Sequence, residues 1–336
     1  MALTGSYDVV VGWFKPGING WTQRVTSVAV ENPNRVFIGA VDLNDIREGF
    51  PMLTADGKVM KEKSTIVRDN NNFNKGDVNN LMVLNANGEV IENWSQWNGE
   101  ISLAHHIVID PYDPAHAVWV VDRFNHRILK FSNDGKQLLL KVGEKGVPGN
   151  DETHFHDPAN LAFMPDGSFY VADGYTNSRV VKFDKNGKYL LSWGSKGTGP
   201  GQFNLVHSVA VDADHVYVAD RNNDRIQVFD HTGKFLDQWP GMARVTTVIT
   251  TEDKHVCVAA TRYGRFACYD VNGKLLSQWG AVGDEPGVSD NAHQIDVDTE
   301  GNFYVADANN DRVQKFVPKK NANKSQLIGK ALVLKK

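Results

Sequence analysis

The sequence predicts an all-β fold, a six-bladed β-propeller closed into one ring. Three observations carry this reading: one motif written four times, a repeat period of about 45 residues, and alternating apolar runs parted by Gly, Asn and Asp turns. The clean copies are VVDRFNHRILKF (120–131), VADGYTNSRVVKF (171–183), VADRNNDRIQVF (218–229) and VADANNDRVQKF (305–316). Their aspartates, Asp122, Asp173, Asp220 and Asp307, lie 51, 47 and 87 residues apart. The last gap is a double one, and it holds a degenerate copy, VAATRYGRFACYD (258–270), with Ala260 in the aspartate's place. An earlier copy reads VAVENPNRVFIGA (28–40), continued after a long insertion by LMVLNANGEVIENW (81–94).

Each unit supplies four short strands, as a propeller blade requires. In the fourth unit HSVAVD, HVYVAD, RIQVFD and FLDQW follow one another, with Asn/Asp and Gly turns between them. Units begin near residues 26, 104, 158, 206, 245 and 292. The sixth stops after three strands at VQKFVPKK, and SYDVVVGWFKPG (6–17) resembles the outer strand KYLLSWGSKGTG (188–199). The N-terminal strand therefore completes the last blade, which removes the open edges that invite aggregation. The predicted organisation is a single propeller over 1–318, an insertion at 41–80 within the first blade, and a basic tail at 319–336. An insertion of that length is functional or disordered as a rule, and a lid is the reading adopted for it.

Composition narrows the function classes. The 336 residues are 41% hydrophobic and 23% charged, with a formal net charge of −4, so no global pull towards nucleic acid is expected. No apolar run approaches the ~18 residues of a membrane-spanning helix. Eight Trp, nine Tyr and sixteen Phe exclude a disordered chain. The start, MALTGSYDVVVGWF, shows no basic n-region or long apolar core of a signal peptide. A chain beginning after a removed leader reads the same, which leaves the compartment open. A monomer is expected. The two cysteines, Cys257 and Cys268, flank TRYGR. If that segment is a hairpin turn they lie on neighbouring strands and can pair; buried free thiols are the other reading.

Most of the repeated motif is read as structural. The aspartates are expected to satisfy turn amides, and Arg127, Arg225 and Arg312 to bridge adjacent blades. Function is sought where the blades differ. Aligning the first strands of the blades gives one column with His105, Ala159, His207, Thr246 and His293, and Thr26 in the first blade. Alternate blades of a six-fold ring are related by 120°, so the three imidazoles converge on the axis. His₃ with an open fourth position suits Zn²⁺. The alternation puts His106 on the opposite face, and its column holds Ser208 and Gln294, so it is not taken as a ligand. His154 and His156 form a local H-x-H pair, read as rim.

These motifs, with GTGPGQFNLVHSVAVD (197–212), resemble NHL-type repeats of the peptidyl-α-hydroxyglycine α-amidating lyase family, most closely over 150–240 and continuously across 20–318. The resemblance implies a catalytic Zn²⁺ on three histidines of alternate blades, matching His105, His207 and His293. It implies a catalytic tyrosine in the DGY motif, matching Tyr175, and an arginine after the blade-4 aspartate, matching Arg221. The implied reaction cleaves a carbinolamide C–N bond to an amide and glyoxylate. Zinc suits a hydroxyl that gains alkoxide character, a tyrosine can act as base, and arginine clamps carboxylates. Arg68, Arg123, His154 and Asn291 are further candidates for touching substrate.

The sequence departs from the family pattern in four places. The family's arginine in an FHRG-like stretch falls on FIGA, at Gly39 or Ala40. The aspartate that ligates structural Ca²⁺ is Gln294 here, a weaker ligand, which makes Ca²⁺ doubtful. The family's first-motif proline is Ala104 here, and Val206 and Ala292 replace it in the other two motifs. The family's cysteine pair is displaced by one blade onto Cys257 and Cys268, which favours a disulfide. The leading expectation is a zinc-dependent lyase acting on a small molecule or peptide. A metal-dependent hydrolase using activated water is the runner-up, and a non-catalytic NHL scaffold binding protein or RNA is the third reading.

Overall fold

The computed structural model describes residues 3–17, 23–42 and 80–333. Arg68 and nearly all of the 41–80 insertion lie outside them. Six four-stranded antiparallel sheets form the ring, each running from an inner strand outwards. The inner strands are Gln23–Asn32, Ala104–Ile109, Pro158–Phe163, Val206–Val211, Val245–Thr250 and Ala292–Val297. Each packs against the inner strands of both neighbours. The burial pattern follows from that geometry. Second strands such as Val216–Asp220 are buried at every residue between two neighbouring blades, whereas the outer strand Tyr189–Trp193 alternates between half-buried and exposed.

The repeated Asp and Arg play one role throughout. Asp122 Oδ1 accepts from the Ser102 and Leu103 amides ahead of the inner strand, as expected of a turn-satisfying aspartate. Its Oδ2 accepts from Arg127 Nε at 3.1 Å. Arg225 and Arg312 pair with Asp220 and Asp307 in the same way. The arginines do not reach the next sheet. They donate instead to carbonyls of the connection entering their own blade, as Arg225 does to Gly199 and Gln202. A desolvated aspartate and its fork-shaped partner thus hold each interblade connection onto the blade it feeds.

The ring closes with the N-terminal strand Tyr7–Val9 paired to Arg312–Pro318, giving the sixth sheet its fourth strand. Tyr7 is fully buried among Trp279, Phe303 and Phe316, and its hydroxyl accepts from the Ile328 amide at 2.7 Å. The segment after 318 is therefore docked along the ring. Ile328 is buried, and the Leu332 amide bonds to the Thr250 carbonyl at the end of the blade-5 inner strand. Cys257 and Cys268 sit directly opposite each other on adjacent blade-5 strands and are joined as a disulfide.

Removing residues 1–14 strips Tyr7 and Trp13 from two cores and leaves an open edge. Burial of two large aromatics alone is worth on the order of 5 kcal/mol. The truncated chain is expected to melt about 5–10 °C below the full chain by calorimetry. An unchanged Tm would show that the terminal strand contributes nothing to closure.

Candidate metal centre and its mouth

Every inner strand carries a β-bulge at the same height. The register shifts between Val25 and Ser27, Ala104 and His106, Pro158 and Asn160, Val206 and Ser208, Val245 and Thr247, and Ala292 and Gln294. The extra residue of each bulge is Thr26, His105, Ala159, His207, Thr246 or His293. A bulge takes its extra residue out of the ladder and re-aims its side chain. Here it brings His105, His207 and His293 together, with ligand atoms all within 4.8 Å of one another. Their ring centroids are 4.5, 5.0 and 5.2 Å apart.

The bulges also fix the tautomers. A bulged residue's carbonyl has lost its ladder partner and needs a donor. His105 Nδ1 lies 2.6 Å from the Ala159 carbonyl, His207 Nδ1 2.6 Å from Thr246, and His293 Nδ1 2.6 Å from Thr26. In each case the acceptor is the bulged residue one blade on. With Nδ1–H donating, all three Nε2 lone pairs are presented to one point, which is how metal-binding histidines are oriented. Burial depresses all three pKa values, His293 to about 3, with further lowering from Arg123 or Arg221 and from the neighbouring imidazoles. The rings are therefore neutral at physiological pH, as ligation demands. The donor set fits a four-coordinate transition metal such as zinc with one position open.

Tyr175 stands over this cluster. Its hydroxyl is 3.0 Å from His105 Nε2 and 2.8 Å from His207 Nε2. Gly174 is what lets it arrive there. A Cβ at that residue would lie 2.0 Å from the Val206 carbonyl oxygen, so only glycine allows the blade-3 loop to lie against the blade-4 inner strand. The Tyr175 amide bonds to the Asp157 carbonyl, the bond that Arg123, Arg221, Thr261 and Ala308 make to Leu103, Leu205, Arg244 and Asn291. These five residues thus share one height at the mouth, and blades 2, 3 and 4 present Arg, Tyr and Arg in succession. The Arg123 guanidinium stacks 3.4 Å from the Tyr175 ring centroid, and Arg221 Nη1 donates to the Tyr175 oxygen at 3.4 Å.

The remaining candidates divide. Asn291 lies two residues before His293, with its Oδ1 buried and unpartnered among the described residues. His154 is held by Asp151 on a loop at 2.9 Å and shares no partner with the cluster. The blade-1 arginine has no counterpart. A Cβ on Gly39 would meet Ser27 Oγ at 2.2 Å and the Ala104 carbonyl at 2.6 Å, and Ala40 is fully buried. His106 is not thrown onto the opposite face as strict alternation predicts, because the bulge intervenes. It borders an axial chamber of about 400 Å³ in the other half of the channel and lies 3.2 Å from Asn160 Nδ2. Gln294 accepts from the Val28 amide and donates to the Ile107 carbonyl, so its side chain is committed to joining blades 6, 1 and 2. Sequence reasoning missed Arg244 and Arg262, which stand at the mouth on blade 5. Asp224 accepts from the Arg244 amide and pairs with Arg262 Nη1 at 2.8 Å.

Fold and site together define a six-bladed propeller of NHL type with a three-histidine axial cluster. Residues 148–240 match a family model described as a 6-bladed beta-propeller, and residues 290–316 match the NHL repeat. The chain is similar in sequence to proteins named peptidyl-α-hydroxyglycine α-amidating lyases. It is 34% identical over 181 residues to a probable lyase of this name from Caenorhabditis elegans, covering 52% of this chain and 50% of that one. It is 41% identical over 119 residues to the peptidylglycine alpha-amidating monooxygenase of Rattus norvegicus, covering 33% and 12%. NHL repeat-containing protein 3 of Homo sapiens is 38% identical over 153 residues, covering 43% and 44%. The chain thus spans half or less of the length of these curated relatives. Among solved structures, a streptogramin B lyase superposes with a TM-score of 0.53 at 12% identity, covering 91% of this chain and 96% of that one. The WD40 propeller of Doa1 gives 0.54 at 11% identity, covering 94% and 98%. These likenesses concern the fold.

His207→Ala is expected to weaken binding of a divalent transition metal by at least roughly 100-fold, since two imidazoles leave the ion under-coordinated. His106→Ala should leave affinity unchanged. Competition against a chromophoric chelator reads both. Equal affinity in wild type and His207→Ala would remove the cluster as a metal site.

Proposed function

We propose that the protein is a zinc-dependent lyase that cleaves the C–N bond of a carbinolamide, releasing an amide and glyoxylate. The observation that carries this reading is the Tyr175 hydroxyl, 2.8–3.0 Å from two inward-facing imidazole nitrogens and bracketed by Arg123 and Arg221. The lyase names of relatives sharing this region support it. His105, His207 and His293 would hold the zinc, which would supply Lewis acidity to a hydroxyl that gains alkoxide character.

The chain's own groups account for the proton. Tyr175 takes the hydroxyl proton as the C–N electron pair leaves with nitrogen and the C–O bond becomes a carbonyl. The departing amide nitrogen receives that proton, so the hydroxyl hydrogen ends on the amide and charge is conserved. The Arg221 donor stabilises negative charge on the phenolic oxygen during the transfer. Arg123, stacked on the ring and 3.7 Å from Asp157, holds the tyrosine in place.

A hydrolase on the same scaffold is the second reading. It is favoured by Gly39, whose surroundings exclude the arginine that the lyases carry on the first blade. Tyr175→Phe separates the two. In the lyase reading it lowers kcat on α-hydroxyhippurate by on the order of 10²–10⁴-fold, the range for a positioned base, with zinc content and Tm unchanged. In the hydrolase reading the change falls mainly on KM. Wild-type protein that holds zinc but releases no glyoxylate from this compound would overturn the lyase. Near-wild-type kcat in the variant would remove Tyr175 from the chemistry.

A further inference from the structure

The mouth above the histidines is lopsided. On blades 2, 3 and 4 the shared position is filled by Arg123, Tyr175 and Arg221, and both arginines are turned onto the tyrosine. On blades 5 and 6 the same position holds Thr261 and Ala308, side chains too short to cover the axis. That half of the mouth is backed by the residues two before each bulge, Arg244 on blade 5 and Asn291 on blade 6.

Arg244 differs from the other arginines around it. Arg262 has Asp224 as partner, Arg123 has Asp157, and Arg24 has Asp311. Arg221 and Arg244 form no ion pair among the described residues, and the Nε of each, like those of Arg24, Arg123 and Arg262, is buried without a hydrogen-bond partner. Arg221 is nonetheless committed to Tyr175 through Nη1, whereas Arg244 makes no side-chain hydrogen bond among the described residues. Its backbone sits in the left-handed region at φ 56°, as do Asp157 and Leu205 two residues before their own bulges, and is held by bonds from its amide to Asp224 and from Thr261 to its carbonyl. Burial and the nearby Arg221 and Arg262 charges lower its pKa to about 10 against the opposing pull of Tyr175 and Asp224, so the guanidinium remains charged, and the nearest carboxylate, Asp224, is already paired with Arg262.

We infer that Arg244 is the carboxylate-binding residue of the site, placing the acid group of an anionic substrate over blades 5 and 6. The inference rests on the lyase reading for the identity of that substrate, an N-substituted α-hydroxy acid. It divides the arginines by task. Arg123 and Arg221 position Tyr175, and Arg244 orients the acid so that the hydroxyl and nitrogen of the same carbon face the tyrosine. A planar guanidinium with free N–H groups suits bidentate recognition of a carboxylate.

Calorimetric titration of the full chain with hippurate and with its neutral methyl ester tests the assignment, because neither ligand can react. Wild type is expected to prefer the acid by at least about tenfold. Arg244→Met should abolish that preference with Tm and zinc content unchanged, and Arg244→Lys should restore part of it. An acid preference that survives in Arg244→Met, or a wild type that binds the two ligands equally or not at all, overturns the inference. Turnover of α-hydroxyhippurate is followed in parallel and judges the lyase separately. Lost preference without turnover leaves an anion subsite in another enzyme, whereas turnover with preference retained in Arg244→Met discards Arg244 and keeps the lyase.

Discussion

A double collar of hydrogen bonds around the axis decides where everything else in this ring can go. The bulges create the first collar. His105, His207 and His293 bond to the carbonyl of the next blade's bulged residue, while Thr26 and Thr246 donate to Ala104 and Ala292. Five of the six blade-to-blade joints are made this way. The exception lies between blades 3 and 4, where Ala159 has nothing to donate and Gly174 packs against Val206 instead. One residue further along, a second collar spans all six joints through Ser27, His106, Asn160, Ser208, Thr247 and Gln294. The three axial histidines are therefore part of the ring's own wiring. Their orientation is set by the backbone before any ion arrives, which is the preorganisation a metal centre needs.

This wiring also accounts for Gln294. In the sequence it is the loss of a carboxylate. In the structure it is a bridge, accepting from blade 1 and donating to blade 2, and a carboxylate there has no hydrogen to give the Ile107 carbonyl. An amide satisfies both partners with no ion. The same logic explains why a histidine as well buried as His106 has a structural place: it closes the joint to Asn160 and Gln294 rather than serving the axis.

How much was legible in the sequence depended on whether a feature repeats. The blades, the terminal closure and the histidine column repeat or break a repeat, so alignment of the chain with itself exposes them. Tyr175 was visible for the same reason, as a departure within four clean copies. The bulge was not visible. Two-residue alternation assigns His105 and His106 to opposite faces, and nothing in LAHHIVID announces the extra residue that spoils the count. The polar second column could have given a hint, since six adjacent polar side chains inside a buried ring must be bonded to something. Arg244 was hidden by the degeneracy of blade 5, where Ala260 replaces the repeat's aspartate and removes the landmark for alignment. Its meaning comes from its neighbours: Thr261, Ala308 and the positions of Arg123 and Arg221.

The placement of the histidines on alternate blades has a consequence for how the molecule comes into being. His105 and His293 lie far apart in the chain, and the blade carrying His293 is completed by Tyr7–Val9, the first of the described strands. The inner strand that carries His293 reaches the other two histidines through its packing against the first and fifth blades. A metal ion bound by this cluster would find its full set of imidazoles only once the sixth blade is packed into the ring. Metal occupancy would then mark finished molecules from unfinished ones, since tight coordination and circular closure become the same event. An ion bound there would resist opening of the ring by tying three non-adjacent blades to one point.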